Sequence, residues 1–164
     1  MKDPKKREVF SSLFNPLRTQ KKHKEVRPPY AKDEALFDTE CLTCKELFCI
    51  EACEETIIVL DSEKKPCLSF THSGCTLCEA CAKACPLGVL DPLAPNTIHV
   101  HFSIDTKTCL AWNGVVCCSC ADTCEAKAIP FLGMFRPIIE MEHCTGCGFC
   151  YGVCPSNAVQ YRAI

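Results

Sequence analysis

The chain has 164 residues, 18 cysteines and a formal net charge of −2. This length allows one ordinary domain or two very small ones, and a small apolar core needs extra stabilisation, which cysteine chemistry supplies. No run of 18 apolar residues occurs, so we predict no membrane-spanning helix.

Charge is unevenly distributed along the chain. Residues 1–30 carry nine Lys or Arg against three Asp or Glu, whereas residues 31–164 carry nine against 17. We therefore predict a basic N-terminal arm over 1–30 and an acidic body. The arm either contacts an acidic surface, of a partner protein, a nucleic acid or a membrane, or forms a solvated tail. Nothing else resembles a nucleic-acid-binding module, so no nucleic-acid partner is predicted.

The first 30 residues lack the features of an export signal. They contain no apolar h-region, no small-residue cleavage site and no twin arginine. We expect a cytoplasmic protein, whose reducing surroundings keep cysteines available as metal or cluster ligands and disfavour disulfides.

Sixteen cysteines form four groups. In chain order they are Cys41, Cys44, Cys49 and Cys53; Cys75, Cys78, Cys81 and Cys85; Cys109, Cys117, Cys120 and Cys124; and Cys144, Cys147, Cys150 and Cys154. The second and fourth groups have the spacing C-x2-C-x2-C-x3-C-P of bacterial [4Fe–4S] ferredoxins. The first group is lengthened by two residues, and the third by the insertion LAWNGVV, but both keep the final x3 step. This pattern predicts up to four [4Fe–4S] clusters.

Short elements are predicted between and within the groups. Residues 57–60 and 67–70 read as a hairpin, and residues 129–132 and 137–141 read as another around GMFR. Strict alternation of apolar residues over 97–104 predicts a strand, and 159–164 would be the closing strand. Short helices are expected to follow the third cysteine of each group. The fold class is α+β.

The repeat predicts two tandem ferredoxin-like modules, each with two [4Fe–4S] clusters. We expect their boundaries at residues 31–96 and 97–164, with APN at 94–96 as the joint. A structural zinc protein is the alternative, but zinc sites usually join two separated cysteine pairs. Here each group of four thiols lies within 11 to 16 residues.

Two cysteines lie outside the predicted ligand set. Cys67 is expected to be a small buried apolar residue, and Cys118 a loop thiol between ligand positions. The alternative for both is a redox or cluster-transfer thiol, and Cys118 could exchange with Cys117 if the loop shifts.

These motifs resemble those of the NapF-type ferredoxins, the accessory iron–sulfur proteins of periplasmic nitrate reductase systems. The resemblance rests on RPPY (27–30), CTLCEACAKACP, CLAWNGVVCCSCADTCEAKAI and CTGCGFCYGVCP, and covers nearly the whole chain. The spacing of the first group departs from the commoner family pattern.

Ferredoxin resemblance implies that the last cysteine of each group serves the neighbouring cluster. The implied ligand sets are Cys41, Cys44, Cys49 and Cys85 for cluster 1; Cys75, Cys78, Cys81 and Cys53 for cluster 2; Cys109, Cys117, Cys120 and Cys154 for cluster 3; and Cys144, Cys147, Cys150 and Cys124 for cluster 4.

The family also implies a function and a partner. It predicts a protein that meets the precursor of the molybdenum-containing catalytic subunit, NapA, and assists its maturation by supplying electrons or cluster. A general electron-transfer ferredoxin, or the electron-transfer subunit of a cytoplasmic oxidoreductase, is the alternative. We expect no catalytic activity, since neither a nucleotide-binding glycine loop nor a radical-type C-x3-C-x2-C triad is present.

Overall fold

The computed structural model describes residues 24–164, and most of the predicted basic arm lies outside them. Regular structure in this range is short. The helices are α1 (Leu36–Thr39), α2 (Phe48–Glu51), α3 (Ala80–Lys83), α4 (Ser119–Asp122) and α5 (Phe149–Gly152), with a 3-10 helix at Ala111–Asn113. The strands are β1 (Ile58–Leu60), β2 (Pro66–Leu68), β3 (Val100–Ile104), β4 (Phe131–Leu132), β5 (Arg136–Pro137) and β6 (Val159–Ala163).

The strands pair as three antiparallel two-stranded sheets within this part of the chain: β1 with β2, β3 with β6, and β4 with β5. Both predicted hairpins are present, although β4 and β5 are shorter than expected. The turn between β1 and β2 is closed by Asp61, whose Oδ1 accepts the backbone N–H groups of Glu63 and Lys65. The predicted closing strand also forms, and it pairs with the alternating strand so that Phe102 faces Tyr161.

Helices α2 to α5 repeat one local structure. Each begins one residue before the third cysteine of its group, so the expectation that helices follow this cysteine was wrong. The reason is local backbone geometry. In three groups the residue two places before the third cysteine has a positive φ and ends the preceding loop, so the helix starts at once; these residues are Leu47, Glu79 and Gly148.

The turn after each group is also repeated. The residue three places after the last cysteine has a positive φ in all four groups, and its N–H donates to the carbonyl oxygen of that cysteine. These residues are Thr56, Gly88, Lys127 and Asn157. The turn reverses the chain, so that the apolar residues following each group pack back against it.

The N-terminal segment pairs with residues 90–95 in the first half of the chain, much as β3 pairs with β6 in the second half. Ala31 forms an isolated antiparallel bridge with Leu90. Tyr30 makes two backbone hydrogen bonds. Its N–H donates to the carbonyl oxygen of Pro95, and its own carbonyl oxygen accepts the N–H of Asp91. This pairing was missed in the sequence, because RPPY contains two prolines and lacks the alternation of a strand.

The apolar core draws residues from both halves. Phe70, which is completely buried, packs its ring 5.5 Å from Phe102 and 5.1 Å from Tyr161. One cluster of buried residues extends from Val26 to Val159. Packing therefore joins the two halves. The boundary between two modules at residues 96 and 97 stays a prediction made from the sequence repeat.

Candidate cluster-binding sites

Four cavities in the structure are each lined by four cysteines. The cysteines are Cys41, Cys44, Cys49 and Cys85 at site 1; Cys53, Cys75, Cys78 and Cys81 at site 2; Cys109, Cys117, Cys120 and Cys154 at site 3; and Cys124, Cys144, Cys147 and Cys150 at site 4. The structure thus brings together the sixteen predicted ligands in four sets.

Helix pairing explains why the last cysteine of each group joins the neighbouring set. Helix α2 packs against α3, and α4 packs against α5. The last cysteine lies two residues beyond the end of each helix, where it points away from the loop holding the first three. Packed side by side, the two helices of a pair exchange these last cysteines, so Cys53 lines site 2 and Cys85 lines site 1.

The donor set suits a multi-iron cluster. Each cavity has four soft thiols and a mainly apolar wall; at site 2 the wall includes Ile57, Ile58 and Leu68. In residues 24–164, no group of three or more His, Cys, Asp or Glu side chains is spaced to hold one metal ion. The four thiols of each set line one cavity, and a [4Fe–4S] cluster is held by four cysteine thiolates.

Burial and the neighbouring thiols disfavour ionisation of the cysteines in these cavities. Burial, followed by the neighbouring thiol of Cys75, raises the pKa of Cys81 to about 12. Burial and the thiols of Cys147 and Cys144 likewise raise the pKa of Cys150 to about 12. Four thiolates packed together without positive charge would repel one another, and a bound iron–sulfur cluster would supply the positive charge that lets these groups ionise.

In the second half of the chain, backbone N–H groups donate hydrogen bonds to the sulfur atom of the last cysteine of each group. The N–H of Ala158 donates to Sγ of Cys154 over 3.2 Å, and the N–H of Ala128 donates to Sγ of Cys124 over 3.3 Å. Burial raises the pKa of Cys154, but hydrogen bonds from backbone N–H groups outweigh it, and the pKa is lowered overall. Such bonds stabilise negative charge on a ligand sulfur and so tune a cluster's potential.

The two remaining cysteines lie away from the cavities. Cys67 is a buried residue of β2, opposite Val59, and burial raises the pKa of its thiol to about 11. Cys118 is exposed and precedes α4, with its Sγ donating to Oδ2 of Asp122 over 2.9 Å. It occupies the position that Glu79 and Gly148 occupy in their own groups, two residues before the third cysteine.

Two residues that support the sites were missed in the sequence. Tyr30 donates its hydroxyl to the carbonyl oxygen of Leu77 over 2.7 Å, which fixes the loop between Cys75 and Cys78. Gly74, directly before Cys75, lies against the backbone of the fourth group. Tyr30 lies in the RPPY stretch, a motif singled out in the sequence, which could have drawn attention to it. Nothing in the sequence around Gly74 indicates a contact with a distant segment.

Comparison with known proteins agrees with this geometry. Residues 137–160, which contain the four cysteines of the fourth group, match the 4Fe-4S binding domain family. With its repeated cysteine loops and small mixed helix and strand fold, the chain is a ferredoxin-type iron–sulfur protein. Over residues 24–164, no helix has the length and apolar character needed to cross a bilayer.

Similarity to whole proteins is more specific. The chain is 36% identical over 146 residues to ferredoxin-type protein NapF of Escherichia coli strain K12, with 87% of each chain covered. It is 31% identical over 140 residues to NapF of Haemophilus influenzae, covering 82% of this chain and 77% of that protein. The methylamine utilization ferredoxin-type protein MauM of Methylophilus methylotrophus is 29% identical over 199 residues, covering 99% of this chain and 87% of MauM. The chain belongs to the NapF family of ferredoxin-type proteins.

Proposed function

We propose that the chain binds four [4Fe–4S] clusters, one at each of sites 1 to 4, and carries single electrons. The observation that supports this most is the set of four cavities, each lined by four cysteines. A [4Fe–4S] cluster held by cysteine thiolates supplies reversible uptake of one electron. The protein itself holds the sulfur atoms at fixed positions, excludes water with apolar side chains and donates N–H groups to ligand sulfurs.

We further propose that this electron-transfer protein assists maturation of the catalytic subunit of periplasmic nitrate reductase before its export. Membership of the NapF family supports a place in that system. The proposed partner is the NapA precursor, and the proposed location is the cytoplasm. The basic arm is proposed to contact an acidic surface of the partner.

A general electron carrier is the second candidate function. It is favoured by the similarity to MauM, which covers 99% of this chain although that protein is named for methylamine utilization. A similar sequence therefore occurs in a protein named for a different system. The two functions share the clusters and differ in the partner.

Complex formation separates the two candidates. Anaerobically purified chain with full iron content would be mixed with tagged NapA precursor and, as a matched control, with an unrelated tagged molybdoenzyme precursor. Selective co-elution with the NapA precursor is the result expected for a maturation protein. If neither precursor retains the chain while small electron acceptors are reduced rapidly, the maturation role is wrong and the carrier role stands.

A further inference from the structure

The four sites form two pairs, each held together by a pair of packed helices. In the first half, α2 contains Cys49, which lines site 1, and Cys53, two residues beyond the end of this helix, lines site 2. In the second half, α5 stands in the same relation to Cys150 of site 4 and Cys154 of site 3. Sites 1 and 2 are therefore neighbours, as are sites 3 and 4.

A hydrogen bond joins one pair to the other. The backbone N–H of Cys75, a residue of site 2, donates to the carbonyl oxygen of Cys147, a residue of site 4, over 2.7 Å. Sites 2 and 4 thus adjoin through this backbone contact, while site 1 is the neighbour of site 2 and site 3 the neighbour of site 4. The spatial order is 1–2–4–3, which differs from the order of the cysteine groups in the chain.

Gly74 is the residue that permits this close approach. A Cβ atom at position 74 would lie 2.6 Å from the backbone nitrogen of Phe149 and 2.7 Å from the carbonyl oxygen of Cys147. These distances are below contact range, and both atoms belong to backbone, which cannot rotate away as a side-chain end can. Any side chain at position 74 would separate the loops of sites 2 and 4.

The surrounding packing makes the junction rigid. The ring of Phe70, from the first half, covers Gly148, where a Cβ would lie only 2.1 Å from Cδ1 of that ring. Phe70 is completely buried and is also in contact with Phe102 and Tyr161. The two site loops are therefore held by a continuous core, and their separation is fixed by packing.

We propose that Gly74 is a positioning residue that sets the separation of sites 2 and 4 and thereby makes one four-site electron array with the order 1–2–4–3. The proposal rests on the proposed function, because it requires clusters at both middle sites. When one electron passes between these sites, one site is oxidised and the other reduced by one unit, and no bond forms or breaks. Without this contact the chain would hold two separate pairs.

The test isolates the two middle sites. Cys44→Ala and Cys117→Ala, made together in the full chain, remove the outer clusters, so about eight iron atoms remain from two [4Fe–4S] clusters. After reduction with dithionite, each remaining cluster carries an unpaired spin, and EPR then reports only the interaction between sites 2 and 4. We expect a spectrum broadened by spin–spin interaction. Two superimposed signals of isolated spins would overturn the order.

Gly74→Ala in this background should lose the broadening while keeping the same iron content. Gly152→Ala is the matched control, since its added Cβ would lie 3.3 Å from the nearest atom, in the same region, and should leave the spectrum unchanged. Unchanged broadening in the Gly74→Ala variant would contradict the positioning role. Iron above about eight atoms per chain in the background would instead contradict the assignment of Cys44 and Cys117 as cluster ligands.

A second measurement covers the case in which the background or Gly74→Ala fails to assemble. In the otherwise unaltered full chain, hydrogen exchange should show the Cys75 amide protected to the level of the buried core. The proposal would be overturned by rapid exchange of this amide in a chain that holds all its iron, because the junction would then be open.

Discussion

Arg27 and Asp61 form an ion pair with a 2.8 Å separation between Nη2 and Oδ2, and the Asp61 side chain is only 4% exposed. The second guanidinium nitrogen of Arg27 donates to the carbonyl oxygen of Pro66 over 2.8 Å, and the guanidinium lies 5.4 Å from the ring centre of Phe37. Arg27 therefore connects the N-terminal segment to the β1–β2 hairpin and to α1. It stabilises the half of the protein that contains sites 1 and 2.

Replacing Arg27 by alanine should destabilise the protein strongly. Asp61 would keep the backbone N–H groups of Glu63 and Lys65 but lose its charged partner, and a hydrogen bond between charged groups contributes about 1.5–3 kcal/mol to the free energy of unfolding. Anaerobic urea unfolding, followed by cluster absorbance, would measure the shift in midpoint. Lys32→Ala is the control, because the exposed Lys32–Asp91 pair should contribute at most about 1 kcal/mol. Equal midpoints for the two variants would contradict the structural role of Arg27.

The neighbouring thiols of the third group give a sharp test of the predicted ligands. Cys120→Ala should lower the iron content by about four atoms per chain, since it removes a cysteine of site 3. Cys118→Ala should keep the full iron content, because its exposed thiol points to Asp122 instead. Iron and sulfide analysis of both variants after anaerobic purification decides the matter. Loss of iron from Cys118→Ala alone would show that the two thiols have been assigned the wrong way round.

Exchange of the last cysteines between groups can be tested by combining substitutions. Cys53→Ala and Cys78→Ala both affect site 2, so the double variant should lose the same four or so iron atoms as either single variant. Cys53→Ala combined with Cys44→Ala affects two sites and should lose about eight. The opposite pattern, with Cys53 and Cys44 behaving as one site, would mean that each group holds its own cluster.

Packing of Phe70 over Gly148 predicts a large difference between two glycines. Gly148→Ala combines a φ of +85° with a Cβ placed against the Phe70 ring, and the chain should fail to assemble its full set of clusters. Gly133→Ala has a similar φ of +66° but no atom within 4 Å, so only a backbone cost of about 1 kcal/mol is expected. Soluble yield and iron content measure the outcome. Equal behaviour of the two variants would argue against close packing between the halves.

Local features were predicted well from the sequence. Cysteine spacing indicated the four groups, and apolar alternation placed the strand that contains Phe102 and Val100. Hairpin turns were predictable because charged and proline-containing stretches interrupt apolar runs, as they do around Asp61. These signals depend only on residues close together in the chain.

The rest depended on contacts between distant segments. The bridge between Ala31 and Leu90, the hydroxyl bond of Tyr30 and the approach of Gly74 to Cys147 have no local pattern. The helix starts were misplaced because left-handed backbone at Leu47 and Glu79 ends each loop before the third cysteine, and neither residue type predicts that conformation.

Metal content is the most direct test of the central claim. Iron, acid-labile sulfide and zinc should be measured on chain purified without oxygen, and EPR recorded after dithionite reduction. Four [4Fe–4S] clusters predict about sixteen iron and about sixteen sulfide per chain, with EPR signals of reduced clusters. Stoichiometric zinc with no iron or sulfide would contradict the account and indicate a structural metal-binding protein.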